Sequence, residues 1–126
     1  MGAEDEDLFS DATEAINAPL RTARGAVVAR AFVLRQVSGP GAPSETPLRE
    51  EQLVVGRSKQ ANVVIDSPEL SRRHLLLCKE GNEYVVRDLN SRNGVYLNGI
   101  KIHSAVLRGG DTLQVGNIAF VFLEGF

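Results

Sequence analysis

The chain has 126 residues, 43% of them hydrophobic and 24% charged, with a net charge of −2, proportions that fit one soluble globular domain and a tail. No run of about 18 apolar residues is present, which excludes a spanning apolar helix, and the single cysteine, Cys78, excludes an internal disulfide and, with only His74 and His103 beside it, argues against a structural metal site. Residues 1–18 hold six acids and no base, whereas residues 19–126 hold ten acids and all 14 Lys and Arg, a net of +4; this sparse positive charge argues against nucleic acid as the main partner.

In chain order, residues 1–7 are short, acidic and terminal, as a disordered segment is. Residues 8–20 read two ways. Leu8, Ala12, Ala15 and Ile16 have helical spacing, and Asp11 to Glu14 resembles a capping box, yet a helix of about three turns is marginal alone. No basic and then apolar leader pattern opens the chain, so the expected location is cytoplasmic. The division expected is an acidic, flexible tail over residues 1–24 and a folded domain over residues 25–126.

The first strand is expected over residues 25–37 (GAVVARAFVLRQV), followed by a loop over residues 38–47, where Gly39, Pro40, Gly41, Pro43 and Pro47 collect. That loop carries no cluster of charged donors and reads as an insertion. Residues 47–50 and 52–56 predict two short strands meeting at a turn, and residues 61–66 another. Residues 75–79 and 84–88 predict a hairpin through Glu80-Gly81-Asn82-Glu83. Two Asn-Gly pairs, Asn93-Gly94 and Asn98-Gly99, are strong turn signals around a strand over residues 95–97 and another over residues 100–102. Residues 112–115 and 118–123 close a last hairpin across Gly116-Asn117. Ten to eleven short strands with frequent turns predict an all-β sandwich of two antiparallel sheets.

Three polar clusters interrupt these strands: Gly56-Arg57-Ser58, Ser71-Arg72-Arg73-His74, and the run from Asp88 to Gly99, DLNSRNGVYLNG. Guanidinium forks, a hydroxyl and side-chain amides on loops make up the donor inventory of an anion site. In this order and spacing the clusters resemble the forkhead-associated (FHA) domain, a phosphothreonine-peptide-binding β-sandwich, over residues 26–123. One position departs from the pattern: Val95 stands where the family often has threonine, which keeps the branched shape and loses a hydroxyl.

The resemblance implies roles for individual residues. Arg57 faces the phosphate, Ser71 donates its hydroxyl to a phosphate oxygen, and Arg72 adds a second contact. Asn93 grips the main chain of the bound peptide, and Arg92 beside it faces the ligand. Gly56, His74, Gly94 and Asn98 support the loops, with His74 bonding across them as a structural residue. Arg73 has the opposite parity to Arg72 along an extended segment and is left outside the site. A small pocket for the γ-methyl group would prefer phosphothreonine to phosphoserine. The residue three places further on would be read by residues 59–62, Arg92 or the Gly116-Asn117 turn.

These residues predict a non-catalytic module in kinase signalling whose partner is a threonine-phosphorylated protein or peptide, with neither cofactor nor metal and with no membrane or nucleic-acid partner. Thr13, followed by Ile16 three places on, is a candidate phosphorylation site through which the tail would occupy the chain's own pocket or a neighbour's. The alternative is a phosphate-independent docking or assembly module that uses the sandwich surface. An enzyme is the least supported class, since no paired carboxylates, metal cluster or Ser-His-Asp arrangement with a glycine-rich elbow accompanies His74.

Overall fold

Strand alternation sets the layering of this protein, whose computed structural model describes residues 31–125. Eleven strands follow in order: β1 (Ala31–Ser38), β2 (Ser44–Pro47), β3 (Gln52–Gly56), β4 (Val63–Val64), β5 (Leu75–Glu80), β6 (Glu83–Asp88), β7 (Val95–Leu97), β8 (Ile100–Ile102), β9 (Ser104–Val106), β10 (Thr112–Val115) and β11 (Ile118–Gly125). They form a five-stranded sheet ordered β9-β6-β5-β3-β4 and a six-stranded sheet ordered β2-β1-β11-β10-β7-β8. The all-β class and the two sheets are as expected from the sequence.

Alternate residues of each strand supply the core. Phe32 and Leu34 of β1, Leu113 and Val115 of β10, and Ile118, Phe120 and Phe122 of β11 are buried from one sheet. Leu53 and Val55 of β3, Leu75 and Leu77 of β5, and Tyr84 and Val86 of β6 are buried from the other. Phe32, Tyr84 and Phe122 meet as a trio with ring centroids 5.1 to 6.1 Å apart. Val95, where a hydroxyl would have been expected, is fully buried in this core.

Several boundaries differ from the expectation, each for a physical reason. Residues 44–47 are a strand, not the end of a loop. They lie on the edge of the six-stranded sheet, where Pro47 opposite Val33 needs no amide hydrogen on its outer side. The strand expected over residues 61–66 shrinks to Val63–Val64 and runs parallel to β3, pairing Val63 with Val55 and Val64 with Gly56. The five-stranded sheet is therefore mixed. Ser104–Val106, a strand that no local pattern announces, borders β6 with Ser104 opposite Arg87. Residues 25–30 of the expected first strand lie outside the described residues, as does the whole tail with Thr13. Cys78 is half-buried on β5.

Among the described residues, no helix is long and apolar enough to cross a membrane.

Candidate functional site

Strand register brings the three polar clusters together. Val55 near the end of β3 pairs with Leu75 at the start of β5, and Leu75 pairs with Asp88 at the end of β6. The segments beyond those three residues therefore leave the five-stranded sheet from one edge: residues 57–62, residues 65–74 and residues 89–94.

Backbone contact fastens the first two segments. Arg57 N–H donates to Ser71 O at 3.0 Å and Ser58 N–H to Arg72 O at 3.1 Å. The approach is so close that a Cβ at position 56 would overlap the Arg72 carbonyl oxygen, so Gly56 is required by space. Arg57 Nε donates to Leu70 O at 3.1 Å. That bond orients the fork and leaves both terminal nitrogens available.

Ser71 and His74 fasten the third segment to the second. The Ser71 hydroxyl oxygen accepts the Arg92 N–H at 3.1 Å, which leaves its own proton free to donate outward. Fully buried His74 accepts the Ser71 N–H on Nδ1 at 3.0 Å, and its Nε2 lies 2.8 Å from Gly94 O. Because Nδ1 accepts, the ring proton sits on Nε2 and donates to that carbonyl. The third segment is also braced internally. Asp88 Oδ1 accepts from the Ser91 N–H at 3.3 Å and from its hydroxyl, and Ser91 Oγ accepts the Gly94 N–H at 3.0 Å.

Asn93 donates from Nδ2 to Glu69 O at 2.7 Å, with its Oδ1 turned to no described donor. Arg92 donates from Nη2 to Pro68 O at 3.3 Å. Among the described residues, Arg57, Arg72 and Arg92 all lack a carboxylate partner, whereas Arg35, Arg87 and Arg108 pair with Glu45, Glu80 and Glu83. The sequence-read residues thus fall into three sets. Arg57, Ser71, Arg92 and Asn93 are drawn together by the bonds just described, with the Arg72 main chain among them. Gly56, His74 and Gly94 lie beneath, holding the loops. Asn98 lies further off, in the β7–β8 turn with φ 51°, where it donates to Asp111 Oδ1 at 3.0 Å and accepts from Thr112 N–H at 2.9 Å. It is scaffold. Arg73 lines a separate cavity with Val54, Ser58, Gln60 and Ala61.

Other residues went unread in the sequence. Glu69 joins the site to the other sheet, since its Oε1 accepts the Asn117 N–H at 3.0 Å. A Cβ on Gly116 would overlap that same oxygen. Glu69, Asn93, Tyr96, Gly99, Gln114 and Gly116 line a groove of about 610 Å³ that begins at Asn93. Strand parity offered a signal for Tyr96 and Gln114, which are cross-strand partners facing away from the core. Lys101 lies over the third segment, where a Cβ on Gly94 would come within 2.9 Å of its Cε. Asn62, expected in a specificity loop, is instead bound to β3, its Oδ1 accepting Val54 N–H at 2.7 Å.

No group of three or more His, Cys, Asp and Glu that could hold a metal ion occurs among the described residues.

Comparison with known proteins agrees with this geometry. The model of the FHA domain matches residues 53–116. An oxoglutarate dehydrogenase inhibitor of Corynebacterium jeikeium is 38% identical over 87 residues, covering 69% of this chain and 60% of that protein. A protein of the same name from Corynebacterium efficiens is 32% identical over 119 residues, covering 94% of this chain and 84% of that one. A solved chain from a structural and functional analysis of phosphothreonine-dependent FHA domain interactions superposes with a TM-score of 0.69 at 27% identity, covering 74% of this chain and 95% of that chain. The chain spans 54% to 60% of the length of the first curated relatives it matches. With the family model matched over half of its residues and these relatives alongside, the chain belongs to the FHA domain family.

Proposed function

We propose that this chain is a non-catalytic module that binds a threonine-phosphorylated segment of a protein in a kinase pathway. The observation that carries this reading is the joining of Arg57, Ser71 and Arg92 at one sheet edge, with no carboxylate from the described residues to neutralise them. A phosphothreonine carries about −1.5 to −2 charge at neutral pH and three acceptor oxygens. In this reading the Arg57 fork and the Ser71 hydroxyl bind those oxygens, and Arg72 adds a second cation. Asn93 Oδ1 takes a peptide N–H, and Arg92 borders the ligand. The binding module is residues 25–126, in the cytoplasm.

The testing experiment is a phosphothreonine-peptide library presented to the purified chain beside its unphosphorylated twin. Selective capture from the phosphorylated library is expected, and equal capture from both overturns the reading in favour of phosphate-independent docking.

The acidic tail supports an extension of the same reading, in which phosphorylated Thr13 competes for the pocket. About a dozen residues span the distance from Thr13 to residue 25, enough at about 3.3 Å each to reach some 40 Å, and a tether of that length holds its ligand at about mM effective concentration. NMR of the Thr13-phosphorylated chain should show shifts at Arg57, Ser71 and Asn93; their absence removes the extension.

A further inference from the structure

The groove beginning at Asn93 has a chemistry opposite to that of the phosphate site. Its lining includes Glu69, whose neighbour Pro68 takes the Arg92 guanidinium on its main-chain oxygen. Glu69 Oε1 is occupied by the Asn117 N–H, but Oε2 receives no hydrogen bond from the described residues. Gln114 donates from Nε2 to Gly116 O at 3.0 Å, which directs its amide and leaves Oε1 without a donor among the described residues. Half-buried Tyr96 lines the same groove, and Gly99 and Gly116 contribute no side chains to it.

A carboxylate here opposes phosphate binding, because like charges within about a Debye length of 10 Å repel. That opposition is offset if the ligand brings its own cation. Two open acceptors and an aromatic surface match a long basic side chain, whose methylene stem packs on the ring while its head donates. Arginine fits better than lysine, since its planar fork can reach two acceptors at once and stack on tyrosine.

We propose that this groove receives a basic side chain, arginine above lysine, from a residue flanking the phosphothreonine on the Asn93 side, and that Glu69 is the residue that selects it. The inference rests on the phosphopeptide reading of the adjoining site. Its consequence is that the natural ligand is a phosphothreonine segment with arginine at one fixed distance.

The test is fluorescence anisotropy with the full chain and phosphothreonine peptides in which arginine is moved through each flanking position of an alanine background, each with an unphosphorylated twin. One position is expected at which arginine tightens binding over alanine by about fivefold, the upper scale of a partly exposed charge pair. Lysine there should gain less. Glu69→Gln keeps an oxygen for the Asn117 N–H and removes the charge, and should abolish the preference. Should its thermal midpoint fall, Gln114→Leu at an exposed strand position serves as the second variant and should weaken the preference. No favoured position, or a preference unaltered in Glu69→Gln, overturns the proposal. Binding of both twins with equal strength overturns the phosphate reading instead, while an arginine preference that disappears with Glu69→Gln in either series still supports the groove.

Discussion

His74 Nε2 and Gly94 O lie 2.8 Å apart inside a fully buried contact, and the same ring takes the Ser71 N–H on its other nitrogen. One side chain therefore sets the spacing between the second and third loops. His74→Ala leaves a buried donor and a buried acceptor without partners and opens a cavity, so a loss of about 3 kcal/mol is expected in urea denaturation. Phosphopeptide affinity should fall with it. Unchanged stability would show that the loops are held by other means.

Arg57 and Ser71 are expected to act on binding more than on stability. Arg57→Ala removes an exposed fork and should weaken phosphopeptide binding by at least about 1.5 kcal/mol, the scale of one charged hydrogen bond. Arg57→Lys should recover little, because an ammonium cannot bond Leu70 O through Nε and still present two aligned donors. Ser71→Ala should cost as much and also loosen residue 92, whose N–H the hydroxyl accepts. Calorimetric titration measures all three, and parent-like binding by Arg57→Ala and Ser71→Ala together would refute the pocket.

Gly56 permits a contact that no other residue allows. A methyl group there meets the Arg72 carbonyl, which is fixed in turn by the Ser58 N–H. Gly56→Ala is expected to destabilise the chain by about 3 kcal/mol, the upper range for overpacking. Amide exchange should show lost protection at Arg57 and Ser58 first.

Tyr84 supplies an alkaline limit to stability. Burial, then the nearby charges of Glu50 and Glu51, raises its phenol above the ordinary value of 10.0, while its hydroxyl donates to Glu50 O at 3.0 Å. Above that ordinary value the unfolded chain loses the proton while the folded chain keeps it, so folded Tyr84 binds more protons and stability falls as pH rises. Its contribution is complete below pH of about 10. Tyr84→Phe should flatten this slope and cost about 1 kcal/mol at neutral pH for the lost hydrogen bond. Denaturation midpoints across the alkaline range test both.

Much of this architecture was legible because local chemistry and global fold agree. Asn98-Gly99 has positive φ at both residues, 51° and 85°, as a tight hairpin turn demands. The alternation in β10 and β11 likewise matches their inner and outer faces. Legibility ended where distant groups substitute for local signals. Residues 44–47, which end in Pro47, form a strand because an edge position relieves them of half the ladder. Val63–Val64 joins β3 in parallel through the Asn62 side chain, which no periodicity announces. For the site, motifs containing Arg57, Ser71 and Asn93 were readable as clusters. Glu69 was not, since its importance depends on meeting Asn117, 48 residues away in sequence.

The loop at residues 39–43, which looked like an insertion without a role, is linked to the groove. Buried Gln36 donates to Ser38 O and Pro40 O at 3.1 and 2.8 Å, and the Ser38 hydroxyl donates to Asn117 O at 2.9 Å. Asn117 in turn holds Glu69, whose carbonyl receives Asn93. A change of length or sequence in that loop is therefore expected to alter how Glu69 is presented without altering any residue lining the groove. Relatives with identical site residues can thus diverge in ligand taste through a surface loop alone, and an engineer seeking new selectivity can diversify the loop while leaving the pocket intact.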